Sequence, residues 1–198
     1  GVAANIFTEV HDEAAHLDTL GKPWPNVDVA VMDAAMSPVS VRELGEIAVR
    51  GSIQTPGYWN DPERSQQVLV NGWFRTGDLA ILTPSGHIQM KGRNDDVINI
   101  GGKKVFPQEI EQYLMSHPSV QDCACCSVAS ELMGEQIQAF IVSNDTKLST
   151  QEWVNILRES LDSYKIPTQF EYVDSIPYTN TGKKKREALV NERAHKKP

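Results

Sequence analysis

The sequence predicts an α+β fold, with a β-rich region first and then a small α+β domain in which helices flank a short sheet. Two observations support this prediction. Before Gly92, several short runs alternate apolar and polar residues, which is the period of a strand that buries one face. After Gly92, apolar residues at helical spacing alternate with further strand-like runs. With 198 residues, 40% of them hydrophobic, the chain can bury a substantial core.

The β-rich region is predicted to contain two strands and a hairpin. Alternation over 27–33 and 45–50 predicts the strands. Residues 79–82 and 87–91 are separated by Thr83-Pro84-Ser85-Gly86, where proline and glycine favour a tight reversal. This segment is therefore predicted to be a hairpin, which makes the first region mostly β.

The second region opens with another predicted hairpin, because residues 97–100 and 103–106 flank Gly101-Gly102. The elements after it are predicted in this order: a helix from Pro107 that ends at Pro118, strands at 119–129 and 136–143, a helix from Ser149, a strand at 169–173 and a terminal helix from about Lys185. Ser149 and Glu152 have the spacing of a capping box. The pattern changes between Arg93 and Asp96, so we predict two domains, at 1–94 and 95–198.

Composition excludes several classes of protein. The chain has 19 basic and 26 acidic residues and a net charge of -7, which argues against a general nucleic-acid-binding surface. No apolar run is long enough for a transmembrane segment. The three cysteines lie within four positions, too close for a disulfide framework, and a reducing, cytoplasmic location is therefore expected. The five histidines lack metal-ligand spacing, so no metal site is predicted within the chain.

Several conspicuous side chains are interpreted as packing residues. Alternation predicts Cys123 and Cys125 on one face of a strand and Cys126 on the other, all as packing thiols. Trp153 is predicted to lie in the core. The dipeptide Tyr58-Trp59 is predicted to pack a loop rather than to contact a ligand.

The first candidate site residue is Asp78, in Gly72-Trp73-Phe74-Arg75-Thr76-Gly77-Asp78-Leu79. The octet begins with Gly72, and Gly77 directly precedes Asp78 at the entrance to a predicted strand. A carboxylate there can accept hydrogen bonds from two ribose hydroxyls. The alternative is a turn aspartate that caps local backbone. The octet alone does not decide between them.

The second candidate cluster is Gly92-Arg93-Asn94-Asp95-Asp96, at the predicted domain boundary. Arg93 carries a rigid fork of donors that can hold a phosphate or a ribose. Asp95 can absorb the backbone rotation of a domain motion. The alternative is a surface linker with exposed charges.

The third candidate is Lys183, at the end of Pro177-Tyr178-Thr179-Asn180-Thr181-Gly182-Lys183. A lysine next to a glycine can present a mobile ammonium to charge that develops during acyl or phosphoryl transfer. The alternative is a basic tail, including a nuclear-localisation or nucleic-acid patch, because residues 183–198 carry seven Lys or Arg against two Glu.

In order and approximate spacing, the three clusters together resemble the AMP-forming acyl-CoA ligase and adenylation-domain superfamily. The resemblance begins at Gly21-Lys22-Pro23-Trp24-Pro25, continues through Gly45-Glu46-Ile47 and Gly57-Tyr58-Trp59, and extends to Gly182-Lys183. It therefore covers almost the whole chain and favours the functional interpretation of each cluster over its alternative.

For adenylation, the resemblance implies a nucleotide site and a catalytic lysine. Asp78 would bind the ribose hydroxyls of ATP or AMP, and Arg93 would approach ribose or phosphate. Lys183 would stabilise the transition state of adenylation. Mg²⁺ would assist ATP, with its ligand mainly outside this chain.

For transfer of the acyl group to coenzyme A, the resemblance implies a domain rotation. The first domain would be the trailing β-rich part of a large domain, and the second would be the complete mobile small domain. Asp95 would be the hinge between them. Gly101, Gly102 and Lys104 match the loop that rotates in to help form the pantetheine tunnel.

Two motifs of the superfamily are absent from this sequence: the Ser/Thr/Gly/Lys-rich phosphate loop and the Tyr-Gly-x-Thr-Glu adenine and magnesium motif. Thr8-Glu9 is similar to the end of the second motif, but Asn5-Ile6-Phe7 lacks its Tyr-Gly. Members of the superfamily are more than twice this length, so we expect a carboxyl-terminal portion that is inactive alone.

The activity implied by the resemblance is ATP-dependent activation of a small-molecule carboxylate and its transfer to coenzyme A. The run from Gly101 to Glu111 is more like acyl-CoA ligases than amino-acid adenylation domains. Two alternatives stay open: an adenylation domain that loads an acyl carrier protein, and a stand-alone binding or regulatory module. The sequence does not identify the carboxylate.

Overall fold

A computed structural model of the protein describes residues 19–21, 23, 26–52, 54–130, 134–144 and 147–194, the last three of them by backbone alone. The chain divides into two units, Gly1–Asp95 and Asp96–Pro198. Strands and helices both occur, so the predicted α+β class is confirmed. Some sequence predictions lie outside the described residues: Thr8-Glu9, Lys22, Trp24-Pro25, His11, His16 and His195.

The first unit is built on a five-stranded antiparallel sheet. Its elements are β1 (Val27–Met32), β2 (Leu44–Gly51), α1 (Pro62–Val68), β3 (Leu69–Val70), β4 (Trp73–Leu82) and β5 (Ile88–Arg93). Strand β2 lies between β1 and β4, and both β3 and β5 pair with β4. The two predicted strands and the predicted hairpin are confirmed. Its buried core consists of Val31, Ile47, Val49, Ala80 and Ile88.

Helix α1 is an element that the sequence patterns did not predict. Its amino terminus is well specified, because the Asp61 carboxylate accepts a hydrogen bond from the Arg64 N–H at 3.0 Å and Pro62 occupies the first turn. No residue of α1 is buried. A helix is predicted from apolar residues at helical spacing, and this short polar helix has no apolar stripe of that kind.

Among its described residues, the second unit contains a hairpin, a three-stranded sheet and three α-helices. Its elements are β6 (Ile98–Ile100), β7 (Lys103–Val105), α2 (Pro107–Met115), β8 (Val120–Ser130), β9 (Gly134–Ser143), α3 (Thr150–Arg158), β10 (Gln169–Tyr172) and α4 (Arg186–Ala194). Strand β9 is central, antiparallel to β8 and parallel to β10. All the elements predicted in this region are confirmed, including the capping box of Ser149 and Glu152.

Helices pack on both faces of the three-stranded sheet. On one face Cys123 and Cys125 share a core with apolar residues of α2 and α3, including Trp153, which is fully buried. On the other face Cys126 packs with Leu189 of α4. The alternation predicted for the cysteines and the core position predicted for Trp153 are confirmed, and so is the short sheet flanked by helices.

The packing role predicted for Trp59 is wrong, because its side chain is 97% exposed. The loop that carries it is held by other groups. The Tyr58 N–H donates to the Ser65 hydroxyl at 2.8 Å, and the Arg64 guanidinium lies 4.6 Å from the centre of the Tyr58 ring. Because these contacts fix the loop to α1, the indole is not required for its packing.

Candidate functional site

Asp78 and Arg93 form a pair across neighbouring strands of the first unit. They are directly opposite each other in the register of β4 and β5. Nη1 of Arg93 donates to Oδ1 of Asp78 at 2.8 Å. Both side chains keep more than a quarter of their surface exposed, at 29% for Asp78 and 28% for Arg93. The pair therefore presents a carboxylate and a guanidinium together at the surface, which suits a ligand with hydroxyls and a phosphate.

Gly77 allows Arg93 to approach this close. Its φ of +77° is in the left-handed region, which glycine adopts without steric cost. A Cβ at this position would lie 2.8 Å from Nη2 of Arg93. Any other residue at position 77 would therefore displace the guanidinium from its place beside Asp78.

Glu46 of β2 fixes the strand segment that leads to Asp78. Its carboxylate accepts hydrogen bonds from the Gly77 N–H at 2.9 Å and from Nε of Arg75 at 3.0 Å. The hydroxyl of Thr76 donates to the carbonyl of Ile47 at 2.9 Å and accepts from the Asp78 N–H at 3.1 Å. This role of Glu46 is not evident from the sequence, although its motif Gly45-Glu46-Ile47 contributes to the resemblance.

Asp95 is the last residue of the first unit and lies in a short 3₁₀ turn, Asn94–Asp96. Its carboxylate is 79% exposed and lies 3.6 Å from Nη2 of Arg93. Few contacts restrain this side chain. The hinge role of Asp95 stays a prediction.

The β6–β7 hairpin presents its glycine turn to solvent. Gly101 and Gly102 have φ values of +54° and +83°, and both are exposed. A Cβ at Gly102 would meet no atom within 4 Å. Lys104 is exposed beside this tip, while the base of the hairpin is anchored by buried Ile98 and Val105. The tip is therefore a narrow, accessible loop on a fixed base.

Lys183 lies at the end of a tight turn in the second unit, which we call the lysine turn (residues 179–183). The Thr179 N–H donates to the carbonyl of Lys183 at 2.7 Å, and the Lys183 N–H donates to the Thr179 hydroxyl at 3.1 Å. Gly182 adopts a φ of +77° within it. Lys183 is exposed, and in the part of the chain that the structure describes its ammonium makes no ion pair.

Two of the basic residues that follow Lys183, Lys184 and Arg186, point inward. Nζ of Lys184 lies 2.8 Å from Oε2 of Glu111, and Nη1 of Arg186 contacts Oε1 of the same carboxylate. The Glu111 side chain is 8% exposed. The interpretation of this segment as a solvated basic tail is therefore wrong for Lys184 and Arg186, because a buried carboxylate from α2 binds both cations.

The protonation state of Glu111 follows from these contacts. Burial by itself raises the pKa of a carboxyl group, but the charge of Arg186 and hydrogen bonds from Arg186, Lys184 and the Cys125 N–H together hold the pKa of Glu111 below its ordinary value. Glu111 is therefore an anion at neutral pH.

The described residues contain neither a metal-binding cluster nor a membrane-spanning helix. Among them, no three His, Cys, Asp or Glu side chains lie close enough to hold a metal ion together. None of their helices has the length and apolar character needed to cross a membrane. Thus the candidate groups of the two units are Asp78 and Arg93 in the first, and the glycine hairpin and Lys183 in the second.

Comparison with known proteins shows which enzymes this chain is similar to. Residues 109–183 match the family described as the AMP-binding enzyme C-terminal domain. Over 187 residues the chain is 34% identical to a long-chain-fatty-acid–CoA ligase of Escherichia coli O157:H7, which covers 94% of this chain and 33% of that protein. Residues 109–183 therefore match an AMP-binding enzyme C-terminal domain, and the chain is similar to adenylate-forming enzymes over almost its whole length. It matches the carboxyl-terminal portion of these enzymes and spans about a third of the length of such relatives.

Solved structures of superfamily members share this fold. An o-succinylbenzoate CoA synthetase from Bacillus subtilis, in complex with its acyl-adenylate intermediate, gives a TM-score of 0.88 at 28% identity, over 93% of this chain and 38% of that one. The amide bond synthetase McbA from Marinactinospora thermotolerans gives 0.81 at 32% identity, over 89% and 36%. One is named for CoA and the other for an amide bond, so similarity to these enzymes does not fix the acceptor.

Proposed function

We propose that this chain is the carboxyl-terminal portion of an ATP-dependent, AMP-forming acyl-CoA ligase. The enzyme would activate a small-molecule carboxylate as an acyl-adenylate and transfer the acyl group to coenzyme A. The observation that carries the proposal is the exposed ammonium of Lys183, unpaired within the described residues and held on a short, hydrogen-bonded turn. Such a cation is available to a substrate that carries negative charge.

Lys183 would act in the first half-reaction. There an oxygen of the substrate carboxylate attacks the α-phosphorus of ATP, and the bond to the β-phosphate breaks with release of pyrophosphate. Negative charge increases on the oxygens around the reacting phosphorus, and an ammonium fixed beside them lowers the barrier. We assign this role to Lys183 as the catalytic residue.

Asp78 and Arg93 would hold the nucleotide. The carboxylate of Asp78 can accept hydrogen bonds from the two ribose hydroxyls, while Arg93 donates to ribose or phosphate. Their 2.8 Å contact and partial exposure fit this role, because each side chain orients the other and still reaches solvent. Glu46 would be a positioning residue, since it fixes the Gly77 N–H directly before Asp78.

The glycine hairpin would act in the second half-reaction, in which the thiol of coenzyme A attacks the acyl carbon and AMP leaves. Gly101 and Gly102 have no side chains to obstruct a pantetheine chain, and exposed Lys104 would supply a cation to coenzyme A. Residues 1–94 would belong to a large domain, and residues 95–198 would form the mobile domain. A rotation about Asp95 would withdraw Lys183 from the reacting groups and bring this hairpin to them.

Mg²⁺ would neutralise charge on the phosphates of ATP. The adenine and magnesium motif of the superfamily is absent from this sequence, so we propose that the ligand of Mg²⁺ lies mainly outside this chain. We also place the enzyme in the cytoplasm, on the strength of three reduced, buried cysteines. An acyl carrier protein in place of coenzyme A is the alternative acceptor.

ATP–pyrophosphate exchange with a panel of carboxylates tests the proposal. The assay requires the full-length ligase, by which we mean a longer protein that includes this chain. Lys183→Ala should lower carboxylate-dependent exchange by roughly 10²- to 10³-fold, the effect of removing one preorganised electrostatic contact. The matched control is Lys185→Ala, since Lys185 is also exposed and lies two residues away. The 198-residue chain alone should show no exchange.

Two results would contradict the proposal. The first is equal exchange by Lys183→Ala and Lys185→Ala, which would remove Lys183 from the reaction. The second is robust exchange by the chain alone, since its sequence contains neither a phosphate loop nor the adenine and magnesium motif. Replacing coenzyme A with a carrier protein in a thioester assay then identifies the acceptor.

A further inference from the structure

The side chain of Glu111 binds two cations that follow the lysine turn, and it also binds the backbone of β8. Oε2 accepts a hydrogen bond from Nζ of Lys184 at 2.8 Å. Oε1 accepts from Nη1 of Arg186 and from the Cys125 N–H at 2.8 Å. The residue is 6% exposed, so water does not compete strongly for these bonds. One buried carboxylate thereby connects α2 to the two cations that follow Lys183.

The same cations also bond to the backbone of β8. Nζ of Lys184 donates to the carbonyl of Cys123, and Nη1 of Arg186 donates to the carbonyl of Cys125 at 3.0 Å. Glu111 lies at the centre of this arrangement, because it binds both cations and the backbone between those carbonyls. The segment directly after Lys183 is therefore fixed to strand β8 of the second unit.

The other end of the lysine turn is fixed to β8 as well. The Tyr178 hydroxyl donates to Oδ2 of Asp122 at 2.8 Å, and Tyr178 and Lys184 form a β-bridge. Asp122 also lies 3.8 Å from Nζ of Lys184. Both ends of the turn are thus held, and the freedom that Lys183 retains is mainly that of its own side chain.

Stability alone does not explain a buried carboxylate with two cations. Removing three charged groups from water is costly, and an apolar cluster of similar volume often stabilises a protein as well or better. What the charged cluster does supply is a defined geometry, because the directions of its hydrogen bonds are fixed. Here that geometry determines where the backbone of Lys183 lies.

We propose that Glu111 is a positioning residue for Lys183, acting through Lys184 and Arg186. This inference rests on the proposed function, since it assigns Lys183 to the adenylation step. Glu111 also neutralises Lys184 and Arg186, so that Lys183 is the cation that the turn presents. Without the carboxylate the two inner cations would repel each other and would be drawn toward water, taking the turn with them.

The test compares Glu111→Gln with Glu109→Gln in the full-length ligase. Glu109 is a matched control because it lies on the same helix and forms a 2.8 Å ion pair with Lys165, whereas Lys184 and Arg186 pair with Glu111. Single-turnover adenylate formation should fall about 10- to 100-fold in Glu111→Gln, the effect of a displacement of the order of 1 Å at a catalytic group. It should be unchanged in Glu109→Gln.

Two further readouts separate positioning from a general loss of structure. Thioester formation from supplied acyl-adenylate should match wild type in Glu111→Gln, because Lys183 does not act in that step. Amide hydrogen exchange in residues 177–185 should become faster in Glu111→Gln and stay unchanged in Glu109→Gln. If Glu111→Gln does not fold, Lys184→Met decides, since it leaves Glu111 paired with Arg186; it should slow adenylate formation selectively and speed exchange in the same segment.

The possible results distinguish this inference from the proposed function. If Lys183→Ala abolishes adenylate formation but folded Glu111→Gln or Lys184→Met retains the wild-type rate, the inference is wrong and the function stands. Equal losses in both half-reactions would also overturn the inference, because Glu111 would then only stabilise the fold. If Lys183→Ala itself has no effect, the proposed function is wrong.

Discussion

At Gly77 the backbone and a neighbouring side chain both require a residue without a Cβ. The φ of +77° is unfavourable for other residues, and a Cβ would lie 2.8 Å from Nη2 of Arg93. Gly86 has nearly the same φ, +79°, but a Cβ there would meet nothing within 4 Å. A substitution at Gly86 therefore costs only backbone conformation, whereas a substitution at Gly77 also displaces Arg93.

Gly77→Ala and Gly86→Ala test this difference. Each should destabilise the fold by about 1–2 kcal/mol, the cost of a left-handed conformation for a residue with a Cβ. Only Gly77→Ala should also weaken AMP binding, because it displaces Arg93 from Asp78. Urea denaturation and equilibrium AMP binding to the full-length ligase measure the two effects. Equal AMP affinities in the two variants would contradict the role of the Asp78–Arg93 pair.

Glu111 makes the stability of the second unit depend on pH. Because the pKa of this carboxyl is below its ordinary value of 4.5 in the folded protein, its contribution is complete above about pH 4.5 and is lost as the pH falls through the lower, folded value. Glu111→Gln should cost about 3 kcal/mol at pH 7, where two cations lose their buried partner.

Urea denaturation of the wild type and Glu111→Gln at pH 7, 5, 4 and 3 measures this dependence. The difference between their free energies of unfolding should be constant from pH 7 to 5 and should shrink below pH 4.5. A constant difference down to pH 3 would show that Glu111 is not the titrating group.

At the scale of elements, periodicity in the sequence predicts most of this fold but not its polar parts. Most strands and helices of the second unit are predicted because they place apolar residues on a face that becomes buried, whereas the β6–β7 hairpin is predicted from its Gly101-Gly102 turn. Helix α1 was missed because no residue of it is buried. The contact between Glu111 and Arg186 joins positions 75 residues apart, so no local pattern reveals it. Likewise the Asp78–Arg93 pair depends on the strand register. The predicted hairpin ends at Lys91, so it does not include Arg93 and does not predict the pair.

The alternation of β8 buries all three cysteines, and we expect none to react in the folded protein. Burial raises the pKa of both Cys123 and Cys126 to about 12, and it raises that of Cys125 well above its ordinary value. A thiol must be deprotonated to react, so Ellman's reagent at pH 8 should detect no free thiol in the native chain. In guanidinium chloride it should detect three. Rapid reaction of a native thiol would show that β8 is more open than described.

At the scale of the whole molecule, the proposed roles divide between the two units. Asp78 and Arg93 belong to the unit that ends at Asp95, whereas the glycine hairpin and Lys183 belong to the unit that begins at Asp96. The proposed reaction needs Lys183 in one step and the hairpin in the other. A rotation of the second unit at Asp95 would bring first Lys183 and then the hairpin to the reacting groups.

Asp95→Pro tests whether this boundary acts as a hinge. Proline fixes φ near -65° and removes the backbone N–H, so it should impair thioester formation more than adenylate formation in the full-length ligase. Asp95→Ala is the control, because it removes the carboxylate but leaves the backbone free. Single-turnover rates of both steps, with circular dichroism as a check of folding, give the answer. Wild-type rates in Asp95→Pro would place the pivot elsewhere.

The most direct test of the central claim is a comparison of the two half-reactions in full-length Lys183→Ala. The activation free energy of adenylate formation, measured in a single turnover, should rise by roughly 2.7–4 kcal/mol, the scale for one lost electrostatic contact. Thioester formation from supplied acyl-adenylate should stay close to the wild-type rate, because Lys183 is assigned to the first step alone. Equal loss in both steps would contradict the assignment of Lys183 to adenylation.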